Sequence, residues 1–250
     1  MRIAVAGGTG AVGRHVVDVA QRRGHEVVVL ARSVEVDLVT GTNLAERLTD
    51  VDVVIDVAST STQSARASEE FFGSVTRHLL AAGHDAGVRH HIALSIVGSD
   101  RAPFGYYAGK AVQEQLVSTG RVPWTILRAT QFHEFAQQLY GQFTVGPVNV
   151  VPKMFSQPVA AREVAERLMQ LAESGPAGRP ADLAGPESLR MADMVRAYAA
   201  ASGGRGPIVE VPLPGGFGKA MRDRTLLAGP SADLGVQTFA EWVIGVARRN

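Results

Sequence analysis

Two periodicities alternate along the chain. Residues 3–6, 27–31, 53–57, 91–96 and 124–128 are short, nearly continuous apolar runs rich in β-branched side chains, the pattern of strands buried on both faces of a parallel sheet. Between them, apolar residues recur every three or four positions over 13–23, 43–49, 68–86 and 106–118, which predicts helices. Strand–helix alternation with right-handed crossovers predicts an α/β fold, a Rossmann-type doubly wound parallel sheet.

One interval breaks the alternation. Only residues 33–36 separate the second strand from Asp37, where a third might begin. A parallel crossover needs about a dozen residues, so a loop and a short strand stub are expected there in place of a helix. Beyond about Gln131 the rhythm loosens, with glycine and proline punctuating 141–158, 175–186, 203–207 and 212–218. Helical patterns return at 161–174, 191–202 and 238–248, and extended pieces near 148–151 and 208–211. The expectation is a core over 1–130 and a small substrate-binding lobe over 131–250, packed on the core as one integrated domain. An open α/β sheet binds its ligand at the carboxyl ends of its strands, where such a lobe would lie.

The junction of the first strand and first helix carries candidate chemistry. It reads Gly7-Gly8-Thr9-Gly10-Ala11-Val12-Gly13, either Gly-x-Gly-x-x-Gly from Gly8 or Gly-x-x-Gly-x-x-Gly from Gly7. Glycine lets the backbone turn tightly and approach a phosphate closely, and the helix N-terminus then offers free N–H groups and a positive dipole end to the anion. Such a run is a common turn in isolation; between a strand and a helix it points to a dinucleotide pyrophosphate.

The end of the second strand indicates which dinucleotide. An acidic residue there would hold the adenosine ribose of NAD(H). The chain instead has Leu30-Ala31-Arg32-Ser33, and Arg32 with Ser33 suits a 2′-phosphate, so NADP(H) is expected ahead of NAD(H). Asp37 can hydrogen-bond an adenine amine or simply shape a solvated turn. Ala58 and Ser59, just past the run ending at Val57, would pass the middle of the cofactor, and small residues there allow close approach.

A second constellation is Ser95 with Tyr106 and Lys110. In a chain of three lysines and four tyrosines, Tyr106 and Lys110 stand four apart, one turn apart on one helix face. A phenol with its ordinary pKa near ~10 exchanges protons poorly at neutral pH, and a neighbouring ammonium favours the phenolate. Tyr106 is thus a candidate acid for a carbonyl oxygen during hydride transfer, Ser95 a candidate donor to that oxygen, and Lys110 a candidate holder of the nicotinamide ribose. Tyr107, three before Lys110, faces it too; register favours Tyr106.

Composition narrows the classes. The formal charge of +1 over 250 residues gives no electrostatic case for nucleic acid or an anionic membrane. The absence of cysteine excludes disulfides, thiol catalysis and cysteine-ligated metal. No apolar run nears the ~20 residues of a membrane span, and the glycine turn interrupts any signal-peptide pattern, so a cytoplasmic location is expected. The histidines lack metal-ligand spacing and no metal is expected. His90, His91 and His25 read as solvated. His133-Glu134 can line a pocket, shuttle a proton or simply stand at the surface of a helix start, and Phe132, Phe135, Tyr140, Met154 and Phe155 can form a substrate wall or a core.

With these residues in view, the chain resembles the atypical short-chain dehydrogenase/reductases, close to the NmrA-like and NAD(P)H-binding members. Gly-Gly-Thr-Gly from Gly7, Leu-Ala-Arg-Ser from Leu30, Leu-Ser-Ile-Val-Gly through Ser95, Tyr106-x-x-x-Lys110 and Leu-Arg-Ala-Thr-Gln-Phe from Leu127 carry the resemblance over most of the chain. It implies a Rossmann domain binding NADP(H) or NAD(H), with Gly7, Gly10, Ala11, Val12 and Gly13 around the pyrophosphate and Lys110 on the nicotinamide ribose. Many such proteins reduce carbonyls or activated double bonds of small molecules; others bind the nucleotide as sensors. The loop after the second strand is shorter than usual, Ala129 stands where proline is common, and Tyr106 is present where many NmrA-like proteins lack a tyrosine. The expected activity is NADPH-dependent reduction of a small carbonyl or enone by a Ser-assisted Tyr/Lys relay. A redox-sensing binder without turnover and a nicotinamide-retaining epimerase or isomerase are the alternatives. Substrate identity and oligomeric state are not encoded in any spacing.

Overall fold

A computed structural model describes residues 1–248. The predicted alternation is present as β1 (Arg2–Ala6), α1 (Gly13–Arg22), β2 (Glu26–Leu30), α2 (Leu44–Arg47), β3 (Val53–Asp56), α3 (Ala65–Asp85), β4 (His90–Ile96), α4 (Tyr106–Ser118) and β5 (Trp124–Ala129). The five strands are hydrogen-bonded in the order β2-β1-β3-β4-β5, and the registered pairs of β1 with β2 and β3, and of β3 with β4, are parallel. The sheet is therefore Rossmann-type. From β1 the chain moves first to one side of the sheet and then back across to the other, so the loops leaving β1 and β3 flank the reversal point where open α/β sheets take ligands.

The short interval after β2 behaves as its length requires. Arg32–Val34 forms a single 3₁₀ turn, and the expected strand stub shrinks to one antiparallel bridge between Asp37 and Thr42. Ile3, Val5, Leu30, Val54, Ile55 and Ile92 are buried, as strands covered on both faces demand. His90 and His91 do not fit their expected solvation. Both lie in β4 and are buried, His90 Nε2 within 2.8 Å of Thr125 Oγ1. Burial pushes the His90 imidazole down to about 4 and lowers His91 as well, because a charged ring loses its hydration there.

The later elements are α5 (Phe135–Leu139), β6 (Thr144–Val145), β7 (Val148–Pro152), β8 (Phe155–Ser156), α6 (Ala161–Ser174), β9 (Leu183–Ala184), β10 (Leu189–Arg190), α7 (Met191–Ala201), β11 (Ile208–Val211), α8 (Gly215–Arg222), β12 (Asp233–Leu234) and α9 (Phe239–Ala247). Two compact units emerge: Met1–Arg128 with Arg162–Ala181, and Ala129–Ala161 with the described residues from Asp182 onward. The segment carrying most of α6 thus groups with the first unit, where Arg162 pairs with Asp18 of α1 at 3.0 Å. In the second unit β11, β7 and β6 form a small sheet, β9 pairs with β12, and buried Met191 and Val195 place one face of α7 in the core. Thr238 and Glu241 cap α9 reciprocally. His133 is buried in this unit, its Nε2 3.2 Å from the Gln237 carbonyl and its ring beside Phe239 and Trp242.

Candidate dinucleotide and proton-transfer site

The residues singled out for cofactor binding, and Tyr106, Lys110 and Ser95, lie in the first unit, whereas His133 lies in the second. The glycine turn closes on its own backbone. Gly7 has φ +78°, and a Cβ there would lie 2.8 Å from the Ala58 Cα; a Cβ on Gly13 would lie 2.1 Å from the Gly7 carbonyl oxygen. Side chains at these two positions would push apart the loops leaving β1 and β3 or lift α1 off the turn. Gly10 differs, since a Cβ there meets only the Gly7 carbonyl oxygen, at 3.2 Å. Thr9, Gly10 and Ala11 are exposed, while Val12 and Gly13 are buried at the helix start. No side chain caps α1 and its first turn holds no carboxylate. The Arg14 and His15 amides turn back to the Gly10 and Val12 carbonyls at 3.1 and 2.9 Å, and the positive dipole end of the helix is left with no carboxylate to offset it. This geometry fits a dinucleotide pyrophosphate: open space over Gly10, a helix start without a side-chain cap and no negative charge.

Arg32 and Ser33 are exposed on the 3₁₀ turn beyond β2. Asp37 has a more local task, its Oδ1 accepting the amides of Val39 at 2.8 Å and Thr40 at 3.3 Å. That is the turn-shaping alternative, carried by one of the two carboxylate oxygens.

The helix α4 carries the second group. Gly109 lets α4 approach α3, because a Cβ there would stand 2.3 Å from Ser68 Oγ and 2.6 Å from the Phe72 ring. Ser68 Oγ donates to the Tyr106 carbonyl at 2.9 Å. Phe72 then lies between the two predicted relay residues. Tyr106 meets its ring edge-on, with centroids 5.3 Å apart, and the Lys110 ammonium sits 4.3 Å above its centre. Tyr106 Oη lies 3.1 Å from Ser59 Oγ. Since Ala58, the residue before Ser59, touches Gly7, the phenol is tied to the loop that backs the glycine turn.

Charge around this face is mostly buried. Burial pulls Lys110 down to about 8, opposed by the Asp56 and Glu114 carboxylates. Burial likewise pushes the Tyr106 phenol up to about 12, opposed by the hydrogen bond with Ser59 and reinforced by Asp56. Asp56, fully buried at the end of β3, accepts the Ala58 amide at 3.0 Å and Gln113 Nε2 at 2.7 Å.

Ser95 is not where a substrate-facing donor should be. Its hydroxyl donates to Glu114 Oε1 at 2.6 Å, so its proton is committed to a carboxylate. Ser99 donates to the same oxygen at 2.9 Å, Arg128 grips both oxygens at 2.8 and 2.7 Å, and Arg179 reaches Oε2 at 2.6 Å. Burial alone would raise the Glu114 carboxyl, but these donors outweigh it and hold it down to about 2. Sequence reading missed Asp56, Phe72, Gln113 and Glu114. The one available signal was Glu114, four residues past Lys110 and so on the same helix face. Tyr107 is buried and Tyr106 only partly so. Among the described residues no cluster of three or more His, Asp or Glu side chains could hold a metal, and no helix is long and apolar enough to cross a membrane.

Comparison with known proteins bears on the family and the fold. Residues 7–174 match the family described as NAD(P)H-binding. The photosystem II assembly factor Ycf39 of Synechocystis is 28% identical over 160 residues, covering 58% of this chain and 48% of its own length. The chain thus spans about half of that curated relative. MoeE5, solved with UDP-glucuronic acid and NAD, superimposes with a TM-score of 0.77 at 15% identity, covering 100% of this chain and 99% of its own. The UDP-glucose 4-epimerase of Thermus thermophilus, solved with NAD, gives 0.73 at 18% identity, with 99% of both chains covered. On the family match and the geometry of the glycine turn, this chain belongs to the NAD(P)H-binding family of Rossmann-fold proteins.

Proposed function

We propose that the protein is an NADPH-dependent reductase of a small carbonyl or enone-type substrate, with Tyr106 as the proton donor. The observation that carries the reading is the position of the Tyr106 hydroxyl, 3.1 Å from Ser59 and so adjoining the loop against which the glycine turn closes. When bound, a reduced nicotinamide supplies the hydride. Tyr106 then delivers a proton to the substrate oxygen, and the Lys110 cation stabilises negative charge on that face. The exposed Arg32 and Ser33 favour a 2′-phosphate and hence NADP(H) over NAD(H). Ser95 has a supporting part in this reading, fixing Glu114 beneath the helix.

NADPH oxidation by the wild type and by Tyr106→Phe across ketones, aldehydes, quinones and enones tests the proposal. The expected outcome is turnover with at least one class and a loss of at least about 100-fold in kcat in the variant. Equal turnover by both proteins would remove Tyr106 from the mechanism. A second reading, a nicotinamide-retaining isomerase of a hydroxylated substrate, draws on the likeness in fold to a sugar-nucleotide epimerase that holds NAD. It predicts substrate conversion without net nucleotide consumption.

A further inference from the structure

The hydroxyls near α4 are not equivalent. Ser95 and Ser99 donate to Glu114, and Ser68 donates to the Tyr106 backbone carbonyl. Ser59 is the side chain hydrogen-bonded to the Tyr106 phenol, and it is exposed whereas the phenol is partly covered. Either oxygen of that pair can act as donor. Such a bond can reverse direction, which a proton relay requires and which the one-way bonds of Ser95 and Ser99 to a carboxylate do not allow.

We infer that Ser59 is the relay partner of Tyr106, the hydroxyl through which the phenol recovers its proton from solvent after each turnover. The inference rests on the reductase reading above, with a reduced nicotinamide dinucleotide as hydride donor. The hydride brings its electron pair to the carbonyl carbon, and the C=O π pair becomes the oxygen lone pair that takes the Tyr106 proton. Tyr106 is left as phenolate. The Ser59 hydroxyl then gives its proton to the phenolate while taking one from a buffer acid, so the serine ends unchanged and one solvent proton is consumed per alcohol formed. Ser59 acts through Tyr106 and is a positioning residue. Lys110 sits over the face of Phe72, and the Asp56 and Glu114 carboxylates oppose the loss of charge that burial imposes on it. The same Ser59 bond offsets part of the rise that burial imposes on the phenol.

The test compares wild type, Ser59→Ala, Ser59→Thr and Tyr106→Phe. Without nucleotide, a rapid pH jump read by tyrosinate absorbance, taken as the difference from Tyr106→Phe, isolates the Tyr106 phenol before the protein unfolds. Ser59→Ala is expected to weaken its acidity about fivefold, the effect of one neutral hydrogen bond, and Ser59→Thr to restore it. In turnover, Ser59→Ala should lower kcat and enlarge the solvent isotope effect while KM for NADPH holds. An unchanged titration and kcat in Ser59→Ala, beside an inactive Tyr106→Phe, would overturn the relay and leave the reductase reading intact. A raised KM for NADPH with an unchanged titration would also overturn it, making Ser59 a nucleotide contact. A fully active Tyr106→Phe would overturn both.

Discussion

The turn over residues 7–13 and the inner face of α4 belong to the same unit, yet they manage charge by different means. The turn contains no ionisable side chain. What it offers an anion is the positive end of a helix with no side-chain cap, held by glycines packed against neighbouring backbone. The α4 face gathers side chains from several elements: Asp56 from β3, Phe72 from α3, Ser95 from β4, Arg128 from β5 and Arg179 from beyond α6. A backbone site tolerates change in surface chemistry and fails when its geometry is crowded. A buried ionic site behaves in the opposite way, since removing one charge strands the others.

Glu114→Gln gives the largest expected effect, because it leaves Arg179 without its carboxylate and Arg128 with Asp100 alone, 3.0 Å away. With Arg179 half exposed, the cost is about 3 kcal/mol, measurable as a lower urea midpoint. The pH dependence has a definite sign. The folded carboxyl, near 2, lies below its unfolded value of 4.5, so the folded state binds fewer protons between them. Glu114 therefore contributes fully above about pH 4.5 and loses that contribution as the pH falls toward 2, where wild type and Glu114→Gln should converge in stability. A gap that stays constant down to about pH 2 would show that Glu114 is not the charge that matters.

Gly13→Ala probes the backbone site. The new methyl would fall on the Gly7 carbonyl, so the turn or α1 must shift, at about 2 kcal/mol and with more than about tenfold weaker nucleotide binding by calorimetry. Retained affinity would mean that the turn is not the pyrophosphate cradle. The smallest expected effect is Arg32→Ala, an exposed side chain on the 3₁₀ turn. It should leave the melting temperature unchanged and weaken NADPH about tenfold while NADH binding is unaltered. An equal effect on both nucleotides would remove the preference for NADP(H).

These two regions were also unequally legible. The glycine turn, the five strands and α4 could be read from the chain because their signals are local: apolar runs, helical spacing and glycines between a strand and a helix. The short gap before Asp37 likewise foretold a missing crossover helix, since chain length alone forbids it. His90 and His91 were misread because their burial is decided by neighbouring strands that local sequence does not reveal. Ser95 was correctly placed near the end of its strand, but its proton goes to Glu114, nineteen positions on.

The sequence by itself determined the Rossmann alternation, the glycine turn and the shared helix face of Tyr106 and Lys110, because each follows from backbone periodicity over a few residues. Only the tertiary structure decided that Ser59 reaches the Tyr106 phenol, that Phe72 lies between Tyr106 and Lys110, and that Glu114 gathers two serines and two arginines. Those contacts join residues distant in the chain. Which hydroxyl finds which partner is set by how closely α3 and α4 pack and where the strands end, and no local spacing encodes that.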